Sequence, residues 1–291
     1  MVNRELDCEN LENIREEIKI LIRSEVRMQI LVELLNSPLS KKEIKNKTNL
    51  THSAISNNLK TLADLGFIEQ EDEVFKLTNL FRINFLNLIN LNKSINVIEK
   101  HKDYLNKHKL FNTKLKSLSE LSPLSSLVLV ETDATDIHRV THLIKDFFIG
   151  SNSIKTVFPY LHPEYGAIFE DWLERDVGVK LILPDDVSTA LIDIISNYTP
   201  KISIQNRYFK VKTLNRPLNL VVLVSDKGII LGNYKKDGSF NKNAVLVSRE
   251  KEAIEWGIEV FEEYELLGDD YFSLDEVVYQ NEKERLEKGG N

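Results

Sequence analysis

Residues 40–78 constrain the fold of this chain more than any other stretch: SKKEIKNKTNLTHSAISNNLKTLADLGFIEQEDEVFKLT. Ser40 followed three residues later by Glu43 has the spacing of a capping box, in which each side chain bonds the other residue's backbone N–H. A short helix is therefore predicted from Lys41, with Ile44 facing inward. Asn49 and Leu50 form a turn, and Thr51 caps a second helix that runs to about Asp64. Ile55, Leu59 and Leu62 recur at helical spacing there and bury one stripe. Past Gly66, Phe67-Ile68 and Val74-Phe75-Lys76-Leu77 flank a Glu71-Asp72-Glu73 tip as paired strands. Two short helices and then a hairpin make a winged helix-turn-helix.

The face opposite the buried stripe carries His52, Ser53, Ser56, Asn57 and Lys60, all hydrogen-bonding groups. A helix lying in the major groove needs such residues, because base edges offer donors and acceptors there. Thr51, His52, Ser53, Ser56 and Asn57 occupy the first turns, which reach the bases. Lys41, Lys42, Lys45, Lys47 and Lys60 are placed to neutralise phosphates and hold register without reading sequence. Double-stranded DNA is the partner this pattern predicts. The acidic tip speaks against the wing as a backbone contact, so the helix carries the expectation.

Charge supports that division of labour. The chain has a formal net charge of -7, but it is uneven. Residues 1–78 hold 11 Lys+Arg against 14 Asp+Glu, residues 79–119 hold 8 against 2, and residues 120–291 hold 19 against 29. Within residues 40–62 five lysines face one glutamate. The local field decides whether nucleic acid is attracted, and the acidic C-terminal half is expected to do something else. A length of 291 residues is too great for one winged helix of roughly 80 and indicates two domains and a connector. The longest apolar run, residues 220–224, is far below the ~20 residues of a membrane helix. The acidic N-terminus has neither signal-peptide nor transit-peptide character, and the lone Cys8 excludes an internal disulfide framework. A cytoplasmic protein with no membrane association is the expectation.

The remainder divides readily. Leu11, Ile14, Ile18, Leu21 and Ile22 predict a leading helix, and Ser24 caps the next over 25–35, which Asn36-Ser37-Pro38 ends. Residues 80–101 predict a long helix of about 33 Å at ~1.5 Å per residue, read as a dimerisation helix because two-fold DNA sites require paired recognition helices. Past Pro123 strands alternate with helices. Strands are expected over 127–131, 154–158, 179–183, 208–213, 218–224, 229–233 and 245–247. Helices are expected over 135–149, 164–176, 187–197 and 249–267, the last with Ile254, Ile258 and Phe261 inward. Continuous apolar strands separated by helices predict a sheet covered on both faces.

The fold class is thus an α+β winged helix-turn-helix domain followed by a helical connector and an α/β C-terminal domain. The predicted boundaries are residues 1–79 for DNA binding, 80–121 for the dimerisation and linker segment, 122–272 for the regulatory domain and 273–291 for a charged tail.

Several phrases carry a family resemblance: SEVRMQILVELL, LTHSAISNNLKTLADLGFIE and FKLT in the first half, then IKTVFPYLHPEYGAIFEDWLERDVGVKLIL, VVLVSDKGIILGNYKKDGSFN and EAIEWGIEVFEEY. Over about residues 20–268 the chain resembles the archaeal winged-helix transcriptional regulators of the methanogenesis-regulatory-protein family. The resemblance implies a regulator domain like a single phospholipase-D-type lobe without the catalytic His-x-Lys pair, hence sensing instead of hydrolysis. Here His101 is followed directly by Lys102, with no aspartate at the phospholipase D spacing. The stretch 110–121 departs from the family pattern.

Ligands of α/β sheets bind beyond the carboxyl ends of strands. Tyr160, Asp185, Asp226, Lys227 and Lys235 are therefore the candidates for a small-molecule effector, although loop capping accounts for such residues equally well. His138 and His142, four apart, have metal-ligand spacing without an assured third ligand, so no metal and no cofactor is expected. The expected protein is a non-enzymatic transcription regulator that binds an operator as a homodimer. A nucleic-acid-associated enzyme with a phosphodiesterase-like lobe, or a protein-binding scaffold, remains open as an alternative.

Overall fold

The computed structural model describes residues 19, 21, 23–109, 120–160, 165–175, 177–187, 191, 209–216, 218, 220–268 and 271–273. Two compact units divide between Asn90 and Leu91. Most of the leading helix read over 1–22 and of the helix read over 187–197 lies outside the described residues.

In the first unit, α1 spans Glu25–Asn36, β1 Leu39–Ser40, α2 Lys41–Thr48, α3 His52–Asp64, β2 Ile68–Glu71 and β3 Val74–Leu77. Local chemistry sets each boundary. The Ser24 hydroxyl accepts from the Arg27 N–H at the start of α1. The Ser40–Glu43 capping box forms in both directions, and Asn49 ends α2 in the left-handed region at φ 57°. Thr51 accepts from the Ala54 N–H at 3.2 Å. Ile55, Leu59 and Leu62 are buried as predicted, against Ile30, Leu31 and Leu34 of α1 and Ile44 of α2. The strands pair in the order β1-β3-β2, and the hairpin closes through Asp72 at φ 51°. The helix–helix–hairpin order expected of a winged helix is therefore present. A long helix, α4, follows over Asn79–Lys100. Phe81 and Phe85 in its first half are buried in the first unit, with the Phe81 ring stacked on Phe67 at 4.2 Å.

In the second unit, Val97 and Tyr104 (the latter in α5, Lys102–Lys107) are buried in one of its two cores. A 3₁₀ turn at Ser122–Ser126 leads into β4 (Val128–Glu131), α6 (Arg139–Phe147), β5 (Ser153–Val157), α7 (Tyr165–Glu174), β6 (Gly178–Pro184) and β7 (Phe209–Leu214). There follow β8 (Leu220–Ser225), β9 (Gly228–Asn233), β10 (Ala244–Ser248), α8 (Lys251–Glu265) and β11 (Phe272–Ser273). The sheet order is β11-β7-β6-β5-β8-β9-β10-β4, with β5, β6 and β7 parallel and the other pairs antiparallel. Separate apolar clusters cover its two faces, one with α6 and α7, the other with α8. A sheet covered on both faces is what unbroken apolar strands require.

The helix expected from 135 begins only at Arg139. Asp133 accepts from the N–H groups of Thr135 and Asp136, and Asp136 accepts from that of His138. These side-chain bonds offer the backbone a turn in place of the first helical turn. On α8, Phe261 is buried as expected, whereas Ile254 and Ile258 lie partly buried on its flanks and Ala253, Trp256, Gly257, Val260 and Tyr264 form the centre of the face. Among the described residues no helix is long and apolar enough to cross a membrane.

His101, 4% exposed, donates its Nε2–H to the Leu127 carbonyl at 3.0 Å. Burial holds its pKa below the ordinary value; the Leu127 bond works the other way, and the charge of Lys100 adds to the lowering. The unfolded chain therefore binds the proton more readily. This contribution to stability is complete above the unfolded pKa of about 6.5 and is lost as pH falls towards the folded value. His101→Gln is expected to flatten the fall in stability between neutral and mildly acidic pH, by at most about 1.4 kcal/mol per pH unit. Urea titrations of both chains across that range provide the check, and identical slopes would refute the assignment.

Candidate nucleic-acid interface

The predicted DNA-facing residues all belong to the first unit's helix pair and the cap between its helices. Lys41, Lys42, Thr51, His52, Ser53, Asn57 and Lys60 are exposed and Ser56 is half-buried. Thr51 is partly committed, because its hydroxyl caps α3 and lies 3.3 Å from that of Ser53. Lys47 is ion-paired with Glu33 at 3.5 Å, which makes it a weaker phosphate ligand than the sequence suggests. Lys41, Lys42, Lys45 and Lys60 have no carboxylate partner among the described residues. The Lys41 ammonium lies 5.9 Å from the centroid of the Phe75 ring in the wing strand.

One contact that holds α3 in place left no trace in local spacing. The Arg27 Nε–H donates to the Asn58 side-chain carbonyl at 3.2 Å, and the Asn58 amide donates to the Ala54 carbonyl at 2.8 Å. The first joins α1 to α3 across 31 positions of sequence, and the second holds the Asn58 side chain against its own helix. In the wing, Lys76 ion-pairs with Glu71 and, at 3.4 Å, with Glu69. The Glu71 hydrogen bond raises the lysine pKa, so this cation is occupied within the wing. Asp72 and Glu73 remain exposed at its tip.

The effector candidates do not converge. Val157 pairs with Val222 and Ile154 with Ser225, so β8 runs against β5 and its carboxyl end faces the opposite edge. Tyr160, Asp185 and Lys235 lie toward the edge where β5 and β6 end. Asp226 and Lys227 turn the β8–β9 hairpin at the other. There they pair with each other at 3.0 Å, and the Lys227 carbonyl accepts from Arg249. The grouping of all five is corrected accordingly: β8 runs against β5, β6 and β9, so its carboxyl end lies away from theirs.

The described residues of the second unit form a cleft and a smaller cavity. A cleft of about 580 Å³ is lined by Asp185, Asp186, Arg216, Tyr234 and Lys109 among others. Burial raises the Tyr234 phenol pKa, helped by the charge of Asp186. A smaller cavity of about 220 Å³ lies between α6 and the sheet and includes Tyr160, whose ring centroid is 4.3 Å from that of Phe240. The His138 and His142 ring centroids are 6.0 Å apart, and no group of three His, Cys, Asp or Glu suited to a metal occurs among the described residues.

Residues 137–266 match the middle domain of the methanogenesis regulatory protein FilR1, and residues 15–93 match the HVO_A0261 N-terminal domain. FilR1 of Methanothrix harundinacea (strain 6Ac) is 22% identical over 250 residues. The chain is thus similar to this methanogenesis regulatory protein. The match covers 85% of this chain and 56% of FilR1, so the chain spans little more than half the length of that relative. Among solved structures, this chain is similar to TrmBL2, an archaeal chromatin protein, at 13% identity over 92% of this chain and 99% of the other, with a TM-score of 0.38. It is also similar to the phospholipase D family member Nuc from Salmonella typhimurium, at 18% identity over 51% and 99%, with a TM-score of 0.38. At these scores neither overlay bears on what the chain binds.

Proposed function

We propose that this chain is a DNA-binding transcriptional regulator without catalytic activity, which reads a two-fold operator as a homodimer and is modulated through its C-terminal unit. One observation carries the reading: a capped α3, tied to α1 through Asn58, carries exposed Ser53 and Asn57 and half-buried Ser56, with unpaired lysines close by in sequence. Short polar side chains at the start of such a helix suit base edges, and the lysines suit phosphates. The regulatory description of FilR1 supports the same direction. The dimer rests on α4, whose Leu80, Ile83, Leu91, Ile95 and Ile98 are all exposed, Leu80 by 79%. A row of this kind is a surface that association would cover.

Selection of the full chain against fragmented genomic DNA should recover fragments that share an inverted repeat. If Lys41, Lys42, Lys45 and Lys60 each meet one phosphate per protomer, log Kd against log salt should have a slope of about 7 for the dimer. Sedimentation should give a dimer, and Leu91→Glu with Ile95→Glu should give a monomer that binds the repeat weakly. Recovery of no common sequence would overturn the operator reading. Turnover of bis(p-nitrophenyl) phosphate would overturn the non-catalytic part and favour an enzyme.

A further inference from the structure

We propose that the cavity beneath α6 binds a small organic anion with an apolar body, a branched or aromatic monocarboxylate. Its floor is the α6-side face of the sheet, made by Val221 and Leu223 of β8, Ile230 of β9 and Val245 of β10. Val140 and Ile144 of α6 form the roof, and Phe240 and Tyr160 close one side. Gly232 sets the position of Phe240: a Cβ there would lie 2.8 Å from Cζ of the ring. Elsewhere in the same core the space is filled by aromatic rings, with Phe148, Phe158, Phe169, Trp172 and Phe209 packed edge to face. Over β8–β10 the facing side chains are aliphatic, and about 220 Å³ stays open.

The charge around this space decides the ligand class. Residues 120–291 carry 29 Asp+Glu against 19 Lys+Arg, yet among the described residues the lining includes Lys242 and His138 and no carboxylate. The acids of the adjoining loop are engaged elsewhere. Asp133 accepts from Thr135 and pairs with Arg139 at 3.5 Å, while Asp136 accepts from the His138 N–H and lies 3.8 Å from His142. Lys242 has no ion-pair partner among the described residues. Thr132, Thr141 and Asn243 add hydrogen-bonding groups to the lining.

A cation beside an aliphatic hollow selects a ligand that is anionic at one end and apolar over the rest. Inorganic phosphate would leave the floor unfilled, and a polyol would bury hydroxyls against valine and leucine. A carboxylate on a compact hydrocarbon meets both demands. The inference rests on the C-terminal unit being a sensing domain. Binding is measured without DNA, so its failure leaves the reading helix standing, and a failed operator search leaves the cavity standing.

The test uses the full chain with phenylacetate and 3-methylbutanoate, followed by calorimetry and by thermal unfolding, since a ligand of the folded state raises Tm with concentration. At least one acid should bind. Phenylacetamide, which keeps the shape and loses the charge, should bind about tenfold more weakly than phenylacetate where phenylacetate is the acid bound, and acetate should not bind. Lys242→Gln, at an exposed position, should leave Tm of the free chain unchanged and weaken the acid by about tenfold. Gly232→Ala should weaken it by displacing the Phe240 ring. No binding of either acid at millimolar concentration, equal binding of phenylacetate and its amide, or an unaltered affinity in Lys242→Gln would each overturn the proposal.

Discussion

Replacing Ser56, Asn57 and Lys60 together by alanine should lower affinity for the selected DNA by about a hundredfold or more, with no loss of folded protein. The size follows from what each side chain is placed to do. A well-formed base contact contributes about 1–3 kcal/mol of discrimination, and each substitution acts twice in a dimer. The intact fold follows from the packing of α3. None of the three lies in the buried Ile55, Leu59 and Leu62 stripe, and the Thr51 cap is untouched. Alanine is also the best helix former, so Tm should stay level or rise slightly. The single changes should separate the roles. Asn57→Ala should relax sequence preference, whereas Lys60→Ala should weaken all DNA alike and reduce the salt slope. The wing supplies a control of opposite sign. Asp72→Asn with Glu73→Gln removes two negative charges from the exposed tip, so binding should be unchanged or tighter. Unchanged binding by the triple variant would place the reading surface elsewhere.

How much of this could be seen in the sequence depended on the range of the interaction responsible. Caps and stripes are local, and the Ser40–Glu43 box, the Thr51 cap and the Ile55–Leu59–Leu62 row all lie where the residues indicated. Strand direction is not local. Nothing within residues 220–227 says that β8 opposes β5, so the sequence puts Asp226 and Lys227 with Tyr160 although pairing puts them at the other edge. Arg27 and Asn58 show the same blindness, because a bond across 31 positions has no periodicity to betray it. The turn at 133–138 is a different case. It competes with the helix through short aspartate bonds that the sequence contains, and helical apolar spacing alone hides them. The cavity was invisible for a further reason: it is defined by which aliphatic residues from three strands face one helix, a product of register alone.

The same register makes α8 the element on which the second unit's stability turns, and Trp256→Ala there should cost about 3–5 kcal/mol. Trp256 is 2% exposed and lies with Val260, Phe261 and Tyr264 in the core built on Val222, Val224, Ile229 and Leu231. Truncation removes the apolar contacts of the largest side chain type and leaves a hole that neighbours fixed on strands fill poorly. That loss is a large share of the 5–15 kcal/mol typical of a domain. Leu266→Ala, at a residue 85% exposed just beyond the helix, should shift stability by less than about 0.5 kcal/mol. Gly257 next to Trp256 tests the opposite error. A Cβ there would stand 2.4 Å from Cδ1 of Ile229, so Gly257→Ala should destabilise by about 1–3 kcal/mol through overpacking. Urea unfolding followed by Trp172, the other of the chain's two tryptophans, reads Trp256→Ala directly. A midpoint unmoved in Trp256→Ala while Leu266→Ala is equally silent would mean that α8 does not pack on β8 and β9 through this face.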